Sequence, residues 1–178
     1  MALPIVSQSG AAPQAPSFKL AAADGSQFEF PGHGDQRVTV LLFWATWCPY
    51  CKALMPHLQS MLDEYGSERL RVLAISIKED GDPLAYLRGS GYQFTPLTGG
   101  DEVAMRYGVT GTPGLIVVDR GNRIVFDLAT LQKPGALASE VDALGARSAK
   151  AGRLAPYWAA QIRKALDRTM RGDTSKGG

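Results

Sequence analysis

Val38-Thr39-Val40-Leu41-Leu42-Phe43-Trp44-Ala45-Thr46-Trp47-Cys48-Pro49-Tyr50-Cys51 is the stretch on which the fold turns. Its first half, Val38 to Trp44, is β-branched and almost wholly apolar, which suits a central strand covered on both faces. From Pro49 the pattern becomes helical: Leu54, Leu58, Met61, Leu62 and Tyr65 form an apolar stripe that ends at Gly66. The two cysteines fall at the junction of strand and helix. Proline is favourable at the first helical position because its missing N–H would have had no partner there. That places Cys48 at the N-cap, where free N–H groups and the helix dipole stabilise a thiolate.

Working outward, Phe18 to Phe30 alternates around Asp24-Gly25, a tight hairpin turn. Arg71 to Ile77 reads as a second buried strand, and Asp82-Pro83 caps a helix to about Ser90. Asp101 to Tyr107 is a short helix closed by Gly108. Gly114 to Val118 and Arg123 to Leu128 are strands joined by the turn Asp119-Arg120-Gly121-Asn122, and Pro134 opens a helix to about Leu144. This order predicts an α/β domain with a mixed central sheet and helices on both faces.

The spacing of the cysteines carries the chemistry. A disulfide closing so short a loop constrains the unfolded chain little, so the pair is better explained by reactivity than by stability. Cys48 is expected to be the exposed nucleophile, alkylated first, and Cys51 the resolving thiol that attacks a mixed disulfide on Cys48. A zinc site would need two more ligands from His33 and His57, and His57, nine residues after Cys48, lies about 180° round the helix. No metal is expected, and no cofactor beyond the redox pair.

The chain has 178 residues, 45% hydrophobic and 20% charged, with a net charge of +2. Collagen-like, coiled-coil and disulfide-scaffold classes are excluded, and no stretch reaches the roughly 18 to 20 apolar residues of a membrane-spanning helix. Met1 to Ser17 lacks the basic and apolar segments of an intact secretory signal, and its Ala/Pro/Ser/Gln composition predicts a flexible linker. The small net charge hides a net −4 up to Ala146 and a net +6 from Arg147 onward. An acidic body with a basic tail excludes a dedicated nucleic-acid binder. Residues 18–146 are therefore one domain, and 147–178 a basic amphipathic helical extension with a disordered Gly172–Gly178 tail. Leu154, Trp158, Ile162, Leu166 and Met170 recur every four residues, giving a helix of about 16 residues. It could pack on the domain, lie on a membrane surface with Tyr157 and Trp158 at the headgroups, or bind a partner.

Phe43 to Lys52 resembles the active-site segment of thioredoxin-like proteins, with Pro56 where that family kinks the same helix. Tyr107-Gly108-Val109-Thr110-Gly111-Thr112-Pro113 resembles the family's cis-proline loop, and Asp119 to Val125 its following hairpin. With the insertion around Glu79 to Thr95, residues 17 to 146 are similar to the extracytoplasmic TlpA/ResA/CcmG branch. The resemblance implies a three-layer α/β/α thioredoxin-like fold with an N-terminal hairpin; the extra C-terminal helix comes from the periodicity alone and is left unexplained by it. It implies a cis Thr112–Pro113 bond whose backbone pairs with an extended substrate beside Cys48. Trp47, Pro49, Tyr50, Thr112 and Pro113 are then the substrate contacts.

The implied activity is thiol–disulfide exchange with protein thiols in the periplasm, as a reductase served by a membrane electron-transfer partner, with a role in cytochrome c biogenesis. The implied precursor carries a signal or anchor. Disulfide oxidase or isomerase activity, or a redox-inactive binding module, are the alternatives. Two departures from the family stand out: Leu42 and Leu54 occupy positions where acids usually serve the resolving thiol. Lys52 is a candidate modulator that would favour the thiolate.

Overall fold

In the computed structural model, which describes residues 12–172, the strand expected at Val38–Trp44 is β3, and all seven of its residues are buried. Before it come β1 (Phe18–Ala22) and β2 (Gln27–Phe30), joined by the expected turn with Gly25 at φ 81°. After it come α1 (Pro49–Tyr65), β4 (Leu70–Ser76), α2 (Pro83–Ser90), β5 (Thr95–Thr98), α3 (Asp101–Arg106), β6 (Gly114–Val118) and β7 (Ile124–Asp127). A 3-10 turn at Leu128–Thr130 leads to α4 (Gly135–Ala143) and α5 (Arg147–Gly172).

The strands form one mixed sheet in the order β2-β1-β5-β4-β3-β6-β7, with β3, β4 and β5 mutually parallel and the other pairs antiparallel. Alternation along β3 divides the core. Val38, Val40, Leu42 and Trp44 face α1 and α5, whereas Leu41 and Phe43 face α3 and the N-terminal segment. Strand β5 has no counterpart in the sequence reading. Only Leu97 of its four residues is buried, and Pro96 cannot donate to a ladder. It is a strand because β4 and β1 flank it.

The flexible-linker expectation for residues 1–17 needs correction where the structure describes it. Ala15 is buried and donates its N–H to Asn122 O, while Pro13 O accepts from Ile124 N–H. The Tyr107 hydroxyl donates to Pro16 O at 2.6 Å. A segment poor in apolar side chains is thus held by its backbone. Residues 1–11 lie outside the described residues, as does most of the expected disordered tail, from Asp173 on; Gly172 itself ends α5.

The C-terminal helix is also different from the expected extension. It is 26 residues long, and it starts early enough that Pro156 lies inside it rather than in its first turn. Ala159, Ile162, Leu166 and Met170 belong to the same core cluster as both cysteines, Leu54 and Leu58. Burying Leu154, Ile162, Leu166 and Met170 stabilises by about 1.5–3 kcal/mol each. That burial, for Ile162, Leu166 and Met170 in the cluster shared with α1 and the sheet, makes α5 a layer of the domain. Arg163 pairs with Glu64, and the Tyr65 hydroxyl bonds Asp167 at 2.5 Å, fastening α5 to α1. The membrane-surface expectation for Leu154–Met170 fails on the same ground: the apolar face it requires is packed on α1 and the sheet. Tyr157 is likewise engaged, donating its hydroxyl to Gln132 O.

Candidate active site

The chain enters α1 as its local sequence dictates. Cys48 is the N-cap in an extended conformation, Pro49 opens the helix, and the Cys48 sulfur accepts the Cys51 backbone N–H at 3.2 Å. Both cysteines are free thiols. Both also have 0% exposure, which corrects the expectation that Cys48 would be the exposed one. The reason is long-range: the cis-proline loop folds back over the start of α1 and brings the Thr112 hydroxyl onto the sulfur.

What separates the two thiols is protonation. A hydrogen bond from Cys51 holds the Cys48 thiol down to about 6 against the opposing effect of burial, helped by the Thr112 hydroxyl and the N–H groups of Cys51 and Tyr50. Burial pushes the Cys51 thiol up, and the neighbouring Cys48 pushes it further. Leu42 and Leu54, where acids were missed, are fully buried in the cluster that holds Cys51. The polar neighbours that favour a Cys51 thiolate are the Ala45 backbone and the Thr112 hydroxyl.

The Thr112–Pro113 peptide is cis. The Thr112 hydroxyl stands beside both sulfurs, and neither Gly111 nor Thr112 makes a backbone–backbone hydrogen bond among the described residues. Trp47 is 41% exposed, and its indole N–H donates to Lys78 O at 2.8 Å. Tyr50 is half-buried, with its ring 6.1 Å from Trp158 and the Arg147 guanidinium 5.9 Å from its centroid. Lys52, the candidate modulator, lies 5.2 Å over the Tyr86 ring and is absent from the interactions that shift either thiol. Its side chain is solvent-exposed and turned to α2.

Two residues that the sequence reading passed over hold the site's loops. Glu79 accepts the Thr46 N–H at 2.9 Å and hydroxyl at 2.5 Å, together with the N–H groups of Asp80 and Gly81. Lys78 donates its ammonium to Thr110 O at 3.0 Å and its N–H to Asp101. The segment after β4 therefore ties the strand–helix junction to the cis-proline loop. The one local signal was its charge, Lys78-Glu79-Asp80 directly after an apolar strand.

A groove of about 580 Å³ runs from the cis-proline loop and Tyr50 to α4 and α5, lined on its far side by Leu131, Lys133, Val141, Asp142, Lys150, Leu154 and Trp158.

Comparison with known proteins agrees with this geometry. A thioredoxin-like protein of Haemophilus influenzae is 28% identical over 109 residues, 60% of this chain and 61% of that protein. A thiol:disulfide interchange protein DsbE homolog of Paracoccus denitrificans is 34% identical over 91 residues, 49% of this chain and 48% of that protein. The chain thus spans about half to three fifths of the length of these relatives. The crystal structure of a putative thiol:disulfide interchange protein DsbE from Chlorobium tepidum superposes with a TM-score of 0.59 at 25% identity, covering 66% of this chain and 83% of that one. The fold is thioredoxin-like. Residues 11–126 match the AhpC/TSA family, and over that span, which holds the cysteines and the cis-proline loop, the chain belongs to it.

Proposed function

We propose that this chain is a thiol–disulfide oxidoreductase that exchanges disulfides with protein substrates through Cys48 and Cys51, acting as a reductant in the cell envelope. The observation that carries the reading is the Cys48 sulfur at the helix N-cap, 3.2 Å from the Cys51 N–H and beside the Thr112 hydroxyl. These donors maintain a thiolate at neutral pH.

The thiolate attacks one sulfur of a substrate disulfide. The substrate S–S bond breaks, a Cys48–substrate disulfide forms, and the departing substrate thiolate takes a proton from solvent. Cys51 is kept protonated partly by the charge of Cys48. That charge vanishes in the mixed disulfide, so the Cys51 pKa falls at the step where its thiolate is needed. This substitutes in part for the acids missing at Leu42 and Leu54. Cys51 loses its proton and attacks the Cys48 sulfur; the Cys48–Cys51 disulfide forms and the second substrate thiolate leaves and is protonated. Two electrons have passed to the substrate.

Donors from Cys51 and Thr112 lower the Cys48 thiol from its ordinary value, which supports its role as the attacking nucleophile. Pairing of an extended substrate with the backbone of Gly111 and Thr112 would set its sulfur beside Cys48, with Trp47, Pro49, Tyr50 and Pro113 as contacts. A membrane dithiol donor would restore the reduced form. The relative named a DsbE homolog and the resemblance to the extracytoplasmic branch support the envelope setting. Among the described residues no helix is long and apolar enough to cross a membrane.

Reduction of insulin disulfides by the dithiothreitol-charged protein tests the reading. The wild type should accelerate it and Cys48→Ser should lose at least about a thousandfold. A wild type no faster than the variant contradicts the proposal.

A further inference from the structure

The groove has two unlike walls. One is the cis-proline loop, Gly108 to Gly114. The other comes from sequence far downstream: Leu131 after the 3-10 turn, Val141 of α4, and Leu154 and Trp158 of α5, with Tyr50 joining the two. We infer that this second wall is a side-chain subsite that selects substrates carrying a bulky apolar residue, aliphatic or aromatic, within a few residues of the reactive cysteine. The inference rests on the proposed disulfide exchange and specifies its substrate class.

Three observations carry it. First, the subsite is continuous with the reactive centre: Tyr50 lies between the two cysteines in sequence and its ring meets Trp158. A peptide beside Cys48 and the free backbone of Gly111 and Thr112 therefore continues into the groove. Second, the size fits. About 580 Å³ lies in the range of roughly 300–1,000 Å³ found for sites that bury a small ligand, room for one or two large side chains. Third, half-buried Tyr50, Leu131 and Trp158 present apolar surface backed by buried Val141 and Leu154, whereas charges of both signs surround them. Lys133 and Lys150 oppose Asp142 and Asp127, and the Asp127 carboxylate is already engaged by the Ala129 N–H. With Arg147 over the Tyr50 ring the rim has three cations against two carboxylates, a small excess beside the apolar contact that Tyr50, Leu131 and Trp158 offer. A side chain seated there exchanges water for aromatic and aliphatic neighbours, an interaction that one large residue makes tenfold or more stronger than a serine does.

The test compares two cysteine peptides, each capped as a mixed disulfide with glutathione and differing in one flanking residue, Phe or Ser. Their reduction by the full chain is driven by dithiothreitol, with neutral dipyridyl disulfide as a substrate lacking any flank. The wild type should favour the Phe peptide about tenfold or more in kcat/KM, with little response to salt. Trp158→Ala should bring the ratio towards one. Leu131→Asp should do the same, and since Leu131 is only half-buried it keeps the test valid if Trp158→Ala does not fold. If the wild type turns over dipyridyl disulfide but treats the peptides alike, or if both variants keep the wild-type ratio, this inference fails and the proposed exchange stands. If dipyridyl disulfide is not reduced, both fail. Self-association of the chain that is competed by the Phe peptide at Trp158 would assign the groove to a second copy and overturn the inference.

Discussion

The two walls of the groove differ in how they are built, and the difference separates reactivity from selection. The wall around Cys48 is a set of hydrogen bonds between loops: the Cys51 N–H on the sulfur, Glu79 on Thr46, Lys78 on Thr110. Polar groups aimed at one atom can hold a charge there. The wall across from it is packed side chains on α4 and α5, whose inner face is continuous with the core through Leu154, Ile162 and Leu166. It aims no donor at the sulfurs, and it shapes the space a substrate occupies.

The largest expected effect tests whether the walls are separable. Leu166 is fully buried on α5, away from the groove lining. Leu166→Ala should destabilise by about 2–5 kcal/mol in denaturant unfolding, with Cys48 still titrating where it does in the wild type. A shift of the thiol with the loss of packing would join what the comparison divides.

The next concerns pH. A hydrogen bond from the Arg37 side chain, opposed by burial and aided by the Arg37 N–H and the charges of Arg71 and Arg37, lowers the Asp35 carboxyl to about 2. Asp35 precedes β3, so it lies at the end of that strand opposite the cysteines. Its pKa is lower folded than unfolded, so its stabilisation is complete above the unfolded value near 4 and is lost as pH falls towards 2. About 2 kcal/mol should disappear across that window. Asp35→Asn, followed by unfolding at several pH values, should flatten this limb; an unchanged limb would place the acid-sensitive group elsewhere.

The smallest effect is at the reactive wall. Lys78→Met removes one exposed hydrogen bond to Thr110, and should lower the unfolding free energy by no more than about 0.5–1.5 kcal/mol and kcat/KM for insulin by about two- to tenfold. No change would mean that the cis-proline loop is held without it.

The sequence showed the reactive wall far better than the other. Cys48 and Pro49 are adjacent, and the N-cap geometry is set within four residues, so local rules suffice. The chain also announced β3, α1, β4 and β6 by periodicity. Burial of Cys48 was not legible, because it depends on how Thr112, more than sixty residues away, folds back over the helix. Glu79 and Lys78 were missed for the same reason: their partners are 33 and 32 residues distant. The stripe from Leu154 to Met170 correctly marked an amphipathic helix, but the stripe alone does not say whether it meets a membrane, a partner or its own domain. The answer lies in the complementary apolar face of α1, which the same periodicity had already assigned to the core.

Cysteine-resolved alkylation of the reduced protein across pH tests the central claim most directly. Thiolate at Cys48 should appear with an apparent pKa near 6, and Cys48 should be modified first throughout, because protonation and not exposure distinguishes the pair. Cys48 titrating near the ordinary thiol value of about 8.5, or Cys51 reacting first, would contradict the account.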